Sequence, residues 1–154
     1  IKMKFTIVLP PQAQKRARSR AITSNGRAYA MTYKAPGQRQ QENKLMALMY
    51  QHRPPQPLQG PLALGVKAYL PIPESKPKKF KAAALAGEIR PITKPDLDNV
   101  LKHFKDCCKG VFWEDDKQVV EYLPGTGKYY GYPARWEIEI IPLSLPPDNA
   151  SDRF

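Results

Sequence analysis

Cysteine is nearly missing from this chain: 154 residues hold two, adjacent at Cys107 and Cys108. Neighbouring thiols are badly placed to bridge each other and have no third cysteine to turn to. That excludes a disulfide framework and leaves a zinc set without ligands. They read as helix residues in a reducing compartment, with one in the core. Acid is scarce as well, with 14 Asp and Glu against 25 Lys and Arg, and the formal charge of +11 favours a polyanionic partner, nucleic acid first. Long apolar runs are also missing. None approaches the length of a membrane-spanning helix and no basic amphipathic helix stands out, so no membrane partner is expected. The N-terminal KMKFTIVLPP lacks a full apolar signal region and a small-residue cleavage site, so it reads as a strand of a soluble, cytoplasmic protein. Repeats and domain linkers are absent, and the length suits one ordinary domain with a real core.

Taken in order, Lys4 to Leu9 is a β-branched and aromatic run halted by Pro10 and Pro11, which predicts a first strand. The following QKRARSRAITSNGRAYAMTYKAPGQR is dense in basic residues, with Asn25-Gly26 as a turn. Arg16, Arg18, Arg20 and Arg27 are candidate phosphate contacts, with Tyr29 and Tyr33 interleaved; a plain solvated loop is the alternative. Gln41 to His52 predicts a helix with Leu45, Met46, Leu48 and Met49 on its apolar face, and Leu62 to Leu70 predicts a second strand. Lys76, Lys78, Lys79 and Lys81 crowd beside a short helix expected at Ala82 to Ala86, forming a positive lip just before the next motif. Further on, Lys117 to Leu123 and Arg135 to Ile141 suggest an antiparallel hairpin joined by PGTGKYYGYP. Within that connection Lys128, Tyr129 and Tyr130 either touch DNA or pack. From Pro142 onward the Pro-rich, polar chain, residues 142–154, is expected to be a loose tail. These elements amount to an α+β domain.

The organising stretch is KPDLDNVLKHFKDCCKGVFWEDDKQVV, residues 94–120. On a helical wheel, Leu97, Val100, Leu101, Phe104, Cys107 and Cys108 share an arc of roughly 120 degrees, which predicts a core-facing stripe. Asp98, Lys102, Lys105 and Asp106 fall on the opposite side, Asp98 and Lys102 one turn apart. His103 lies at the rim of that polar face and reads as a helix residue, with DNA contact a distant second. Acids belong at helix N-termini in any case: Asp96 as an N-cap is worth about 1 kcal/mol, and Asp98 complements the dipole. A second acidic set, Glu114, Asp115 and Asp116, follows the helix. A helix of about thirteen residues spans roughly 20 Å, so a simple turn at Gly110 leaves the two sets at opposite ends. Bringing them together requires Val111 to Trp113 to run back along the sheet, or the helix to break early.

The run KPDLDN, followed by Lys102, Asp106, Gly110 and WEDDKQV, resembles the signature of the RusA-like Holliday-junction resolvases, small homodimeric endodeoxyribonucleases often carried by phages. The likeness covers most of residues 3–141, extending to the Arg-rich segment, the IPESKPKK region and a closing strand after Lys128; it departs at Cys107 and Cys108, where small or apolar residues are usual. The resemblance implies a single small α+β domain over residues 3–141, with a mixed sheet packed against helices and a two-fold dimer. It implies that Asp96, Asp98 and Asp116 bind Mg²⁺, with Mn²⁺ as a substitute, Asp115 as the second choice of ligand and Lys102 beside them as a catalytic group. The implied activity is resolution of four-way DNA junctions by paired nicking of opposed strands, in recombination and repair, in the cytoplasm of a bacterial or phage-infected cell. No membrane and no further protein partner is implied. A non-catalytic basic DNA-binding protein, or a nuclease preferring RNA, flaps or other branched DNA, are the alternatives.

Overall fold

Alternation along the strands and the apolar stripe of the motif helix divide the chain into a sheet and one helical layer. The structure is a computed structural model that describes residues 2–12, 18–33 and 38–143. In chain order it places β1 at Met3–Ile7, β2 at Arg18–Ser24, β3 at Arg27–Tyr33, α1 at Gln38–Tyr50, β4 at Leu62–Leu70, α2 at Lys78–Leu85 and α3 at Leu97–Cys108. A single 3-10 turn at Asp116–Gln118 leads into β5 at Val119–Tyr122, β6 at Gly127–Tyr130 and β7 at Arg135–Pro142. A mixed sheet with three helices makes this a small α+β fold. No helix among the described residues is long and apolar enough to cross a membrane.

The sheet runs in the order β1-β7-β4-β5, with β6 sharing the same edge of β4 as β5. β7 is antiparallel to both β1 and β4, while β5 and β6 lie parallel to β4, on its N-terminal and C-terminal halves. The expected hairpin of the last two long strands is therefore not formed. The connection between them is itself a strand, and β5 and β7 end up on opposite sides of β4. Within the Arg-rich segment, residues 18–33 form a separate β2–β3 ribbon, turning at Asn25 and Gly26 with φ of 54° and 76°. Both residues tolerate this left-handed conformation, which matches the twist of the flanking strands.

Strand parity decides the faces, because successive side chains point to opposite sides. Phe5, Ile7, Leu62, Leu64, Val66, Ala68, Trp136, Ile138 and Ile140 are buried in a single core with Val100, Leu101, Phe104, Cys107 and Cys108 of α3. The wheel of α3 is thus realised, with both cysteines buried and Phe104 5.5 Å from the Trp136 ring. Of the four apolar residues expected on one face of α1, Leu45 and Met49 are buried, whereas Met46 and Leu48 are exposed. Helix α2 starts earlier than expected, directly after Pro77, whose extended backbone sets its entry. His103 is a helix residue as expected, but it is buried and not at the rim of the polar face. It is 2% exposed, its ring 6.4 Å from that of Trp136 and its charge environment set partly by Glu42 of α1 and Asp106, so it is no DNA contact.

Burial lowers the His103 pKa below its ordinary value, more than Glu42 and Asp106 raise it. Between that lowered value and the unfolded value of about 6.5, the unfolded chain binds more protons, so stability falls as pH drops through this window. The urea midpoint is expected to decline between pH 7.5 and 5.5, and His103→Gln to flatten that dependence. Truncating Phe104→Ala removes a ring with no exposure from the helix–sheet contact. The expected loss is about 3–5 kcal/mol, read from the same urea transitions.

Candidate active site at the two ends of helix α3

Asp96 occupies the N-cap position of α3 and Asp98 stands in its first turn. A cap aspartate ordinarily accepts a hydrogen bond from the first helical N–H groups. Asp96 does not: its side chain makes no capping bond, its backbone is extended, and it is exposed, as Asp98 is. Lys102, one turn beyond Asp98, is exposed on the same polar edge. Two carboxylates and a lysine are thus presented together to solvent at the positive end of the helix dipole.

The backbone leading into this end is held from β6. Lys128 Nζ donates to the carbonyls of Thr93 and Pro95 at 2.7 and 2.8 Å. Arg90 Nε donates to the Lys128 carbonyl at 2.6 Å, with its guanidinium 3.8 Å over the Tyr129 ring. The packing reading holds for both tyrosines, which remain half-buried: Tyr129 stacks on Tyr69 at 5.2 Å and Tyr130 meets Phe80 of α2 edge-on at 5.9 Å. That last contact brings α2 to this end of the sheet, and with it the four lysines. Lys76 lies 4.9 Å over Phe80, Lys78 and Lys79 are exposed, and Lys81 is half-buried.

The other end of α3 holds the second acidic set. Phe112 N and Val111 N both donate to the Cys108 carbonyl, and Gly110 N to the Trp113 carbonyl, so the chain turns tightly after the helix. Gln118 fastens the loop by four bonds. Its carbonyl oxygen accepts from Glu114 N and Asp115 N at 2.9 and 3.0 Å, and its amide donates to the Leu58 and Gly60 carbonyls at 2.8 and 3.1 Å. Asp115 caps the 3-10 turn in a capping box with Gln118, and its side chain also accepts from Lys117 N at 3.0 Å; this bond, with Lys109 and Lys117 nearby, holds its carboxyl below the usual range against a smaller opposing effect of burial. Asp116 Oδ1 accepts from the indole Nε1 of fully buried Trp113 at 2.8 Å. Burial pushes the Cys108 thiol well up, and neighbouring Cys107 and Asp116 push it the same way, which places Asp116 beside the helix C-terminus.

The two acidic sets therefore do not meet within one chain. From Asp116, the chain runs back along α3: Lys105 in its last turn lies over the Tyr122 ring at 5.5 Å, and Lys128 reaches Pro95 at its start. Asp96 stands at the start of a 12-residue helix, about 18 Å long, and Asp116 lies beside its far end. Among the described residues no three acidic, histidine or cysteine side chains converge as a cation site. Arg27 is exposed on β3, the backbones of Arg18 and Arg20 lie on β2, and Arg16 lies outside the described residues. Sequence reasoning missed Arg90, Trp113 and Gln118. Trp113 carried a signal, since a buried indole N–H needs an acceptor and Asp116 is three residues away.

The Asp96–Asp98 pair fits a hard divalent cation, because Mg²⁺ is commonly held by one or two carboxylates with water and substrate phosphate completing its shell. No hydrogen-bond donor among the described residues occupies either carboxylate. The chain is 36% identical over 145 residues to an uncharacterised protein, YqaN, of Bacillus subtilis strain 168, covering 92% of this chain and 97% of that one. The family described as endodeoxyribonuclease RusA matches residues 9–141, which span the separated acids, the lysine lip and every strand from β2 to β6. With that match over most of its length, the chain belongs to the RusA endodeoxyribonuclease family.

Proposed function

We propose that this protein is a magnesium-dependent, homodimeric Holliday-junction resolvase that nicks two opposed strands of a four-way junction. The observation that carries the reading is Asp96. Its position is that of a helix cap and its side chain does not cap, so the structural explanation for an acid there is unfilled. A purely DNA-binding protein has no use for an uncapped, exposed acidic pair at the mouth of a basic surface, where it repels phosphate.

The separation of the acids along α3 supports a site shared between subunits. Two copies related by a two-fold axis can lay their α3 helices antiparallel, so that the Asp96–Asp98 end of each faces the Asp116 end of the other. Such an assembly has two sites, as cutting two strands requires. Asp96 and Asp98 supply carboxylate oxygens on a rigid helix start, and Trp113 fixes Asp116 through one oxygen, leaving the other free of that bond to serve as a ligand. When bound, magnesium supplies positive charge against the scissile phosphate and a more acidic water. Lys102 adds a cation to stabilise the charge that grows on the phosphate during in-line attack. Lys76, Lys78, Lys79 and Lys81, with Arg16, Arg18, Arg20 and Arg27 of the ribbon segment, draw the arms of the junction onto the protein.

With a synthetic four-way junction and Mg²⁺, the protein is expected to give paired nicks. Asp96→Asn, Asp98→Asn and Asp116→Asn each abolish them while keeping junction binding, and Lys102→Met lowers the rate about 10²–10³-fold. Undiminished cutting by the aspartate variants, or loss of binding with them, sinks the assignment. Subunit sharing has its own test: Asp96→Asn protein mixed with Asp116→Asn protein after co-refolding. If sites are shared, one site of each mixed dimer is fully native and nicking returns. If each chain carries a whole site, both sites stay damaged and no activity appears.

A further inference from the structure

We propose that Lys128 is a positioning residue for the acidic end of α3, acting on the metal-binding pair through the backbone that precedes it. The proposal rests on the resolvase reading for what the pair does, and on geometry for what the lysine does. Parity along β6 is the first part of that geometry. Lys128 is registered opposite Ala68 of β4, whose side chain is buried under the helices, while Tyr129 is registered opposite Tyr69 on the other face. The lysine therefore leaves the strand on the helical side and reaches the segment entering α3. There its ammonium spends two of its three donors on the Thr93 and Pro95 carbonyls, at 2.7 and 2.8 Å.

Those carbonyls bracket Lys94 and end at the peptide bond that Asp96 begins. On its other side Asp96 is fixed by the helix, since its own carbonyl accepts from Val100 N at 3.0 Å. The residue is thus gripped by its backbone from both directions while its carboxylate stays uncommitted. This substitutes for the missing side-chain cap: the orientation that a capping bond normally gives comes from Lys128 instead. Arg90 reinforces the grip from outside, because it binds the Lys128 carbonyl and lies over Tyr129, tying the 90–95 segment to β6 at a second point. Charge-assisted bonds from an ammonium to two carbonyls are stronger than neutral ones and their removal leaves both carbonyls to water. Because Thr93 is exposed and Pro95 half-buried, water can reach them, so the fold survives the loss while the segment loses its fixed position.

The test uses the full chain with Lys128→Met and Lys128→Arg. The arginine retains a cation with several donors. Amide hydrogen exchange over residues 93–98 is compared first, with no metal and no DNA. Lys128→Met is expected to speed exchange there, with an unchanged melting temperature, and Lys128→Arg to restore protection in part. In the junction assay, the Mg²⁺ concentration giving half-maximal cutting is expected to rise about 10–100-fold in Lys128→Met and to recover with Lys128→Arg, while junction binding without metal stays the same. Equal exchange in wild type and Lys128→Met overturns the proposal. So does metal-free junction binding that weakens in step with cutting, which makes the lysine a DNA contact. If the wild-type protein cuts no junction, the resolvase reading fails by itself, and the exchange result still decides whether Lys128 holds the segment.

Discussion

The buried stripe of α3 is the constraint on which the arrangement of this protein depends. Val100, Leu101, Phe104, Cys107 and Cys108 are all sealed against the sheet and α1, so the helix cannot rotate about its axis without exposing an aromatic ring and burying charge. One residue of rotation is about 100 degrees, enough to carry Asp98 and Lys102 from solvent toward the core. The cost of burying an unpaired carboxylate is several kcal/mol even after relaxation, which makes the observed rotation the only stable one. Packing in the core thereby chooses which edge of the helix the chemistry uses. The rigidity of the same helix fixes how far apart its two ends are.

The ends are secured in different ways. At the C-terminal end a single glutamine side chain ties the acidic loop to the segment before β4, and a buried indole fixes Asp116. Of the groups bonded there, the Trp113 N–H is buried and would be left unpaired without Asp116, while the Gln118 bonds fix the loop's position. At the N-terminal end the bonds come from cations on β6 and its neighbouring loop, and none of them touches a carboxylate. The contrast follows from burial. Trp113 has no exposure and needs its acceptor, whereas Asp96 and Asp98 stand in water and need nothing from the protein.

Much of this was legible in the sequence, and the limits were physical. The stripe of α3 could be read from spacing alone, because a 3.6-residue period with no competing apolar residues admits one face. β4 could be read to its last residue as a loosely alternating run bounded by Pro61 and Pro71. The last third could not. Val119–Tyr122 and Arg135–Pro142 look like partners because they are close in the chain, and nothing in Gly127–Tyr130 announces that a third strand there sends them to opposite sides of β4. Pairing is a long-range property, and short strands carry little local signal. Lys128 shows the consequence. Its destination depends on which face of β6 it occupies, which depends on a register that only the assembled sheet defines. His103 was misplaced for a smaller reason, since a wheel of one helix does not show α1 lying across it. The separation of the acids was foreseeable from helix length, and the family resemblance gave no way around it within one chain.

The uncapped start of α3 is the feature that departs furthest from what stability favours. An N-cap aspartate that accepts its hydrogen bond is worth about 1 kcal/mol, and Asp96 sits where that gain is available without taking it. Two carboxylates kept close without a shared donor also repel each other, which a helix dipole offsets only in part. Local rules broken in this way, where the surrounding structure is otherwise consistent, mark places where function sets the residue. Here the offset is visible: two carbonyl bonds from Lys128 and a stacked Arg90 anchor the helix entry that the side chain leaves unanchored. The stability forgone at one carboxylate is recovered from neighbouring backbone, and the carboxylate itself is left open toward the basic surface.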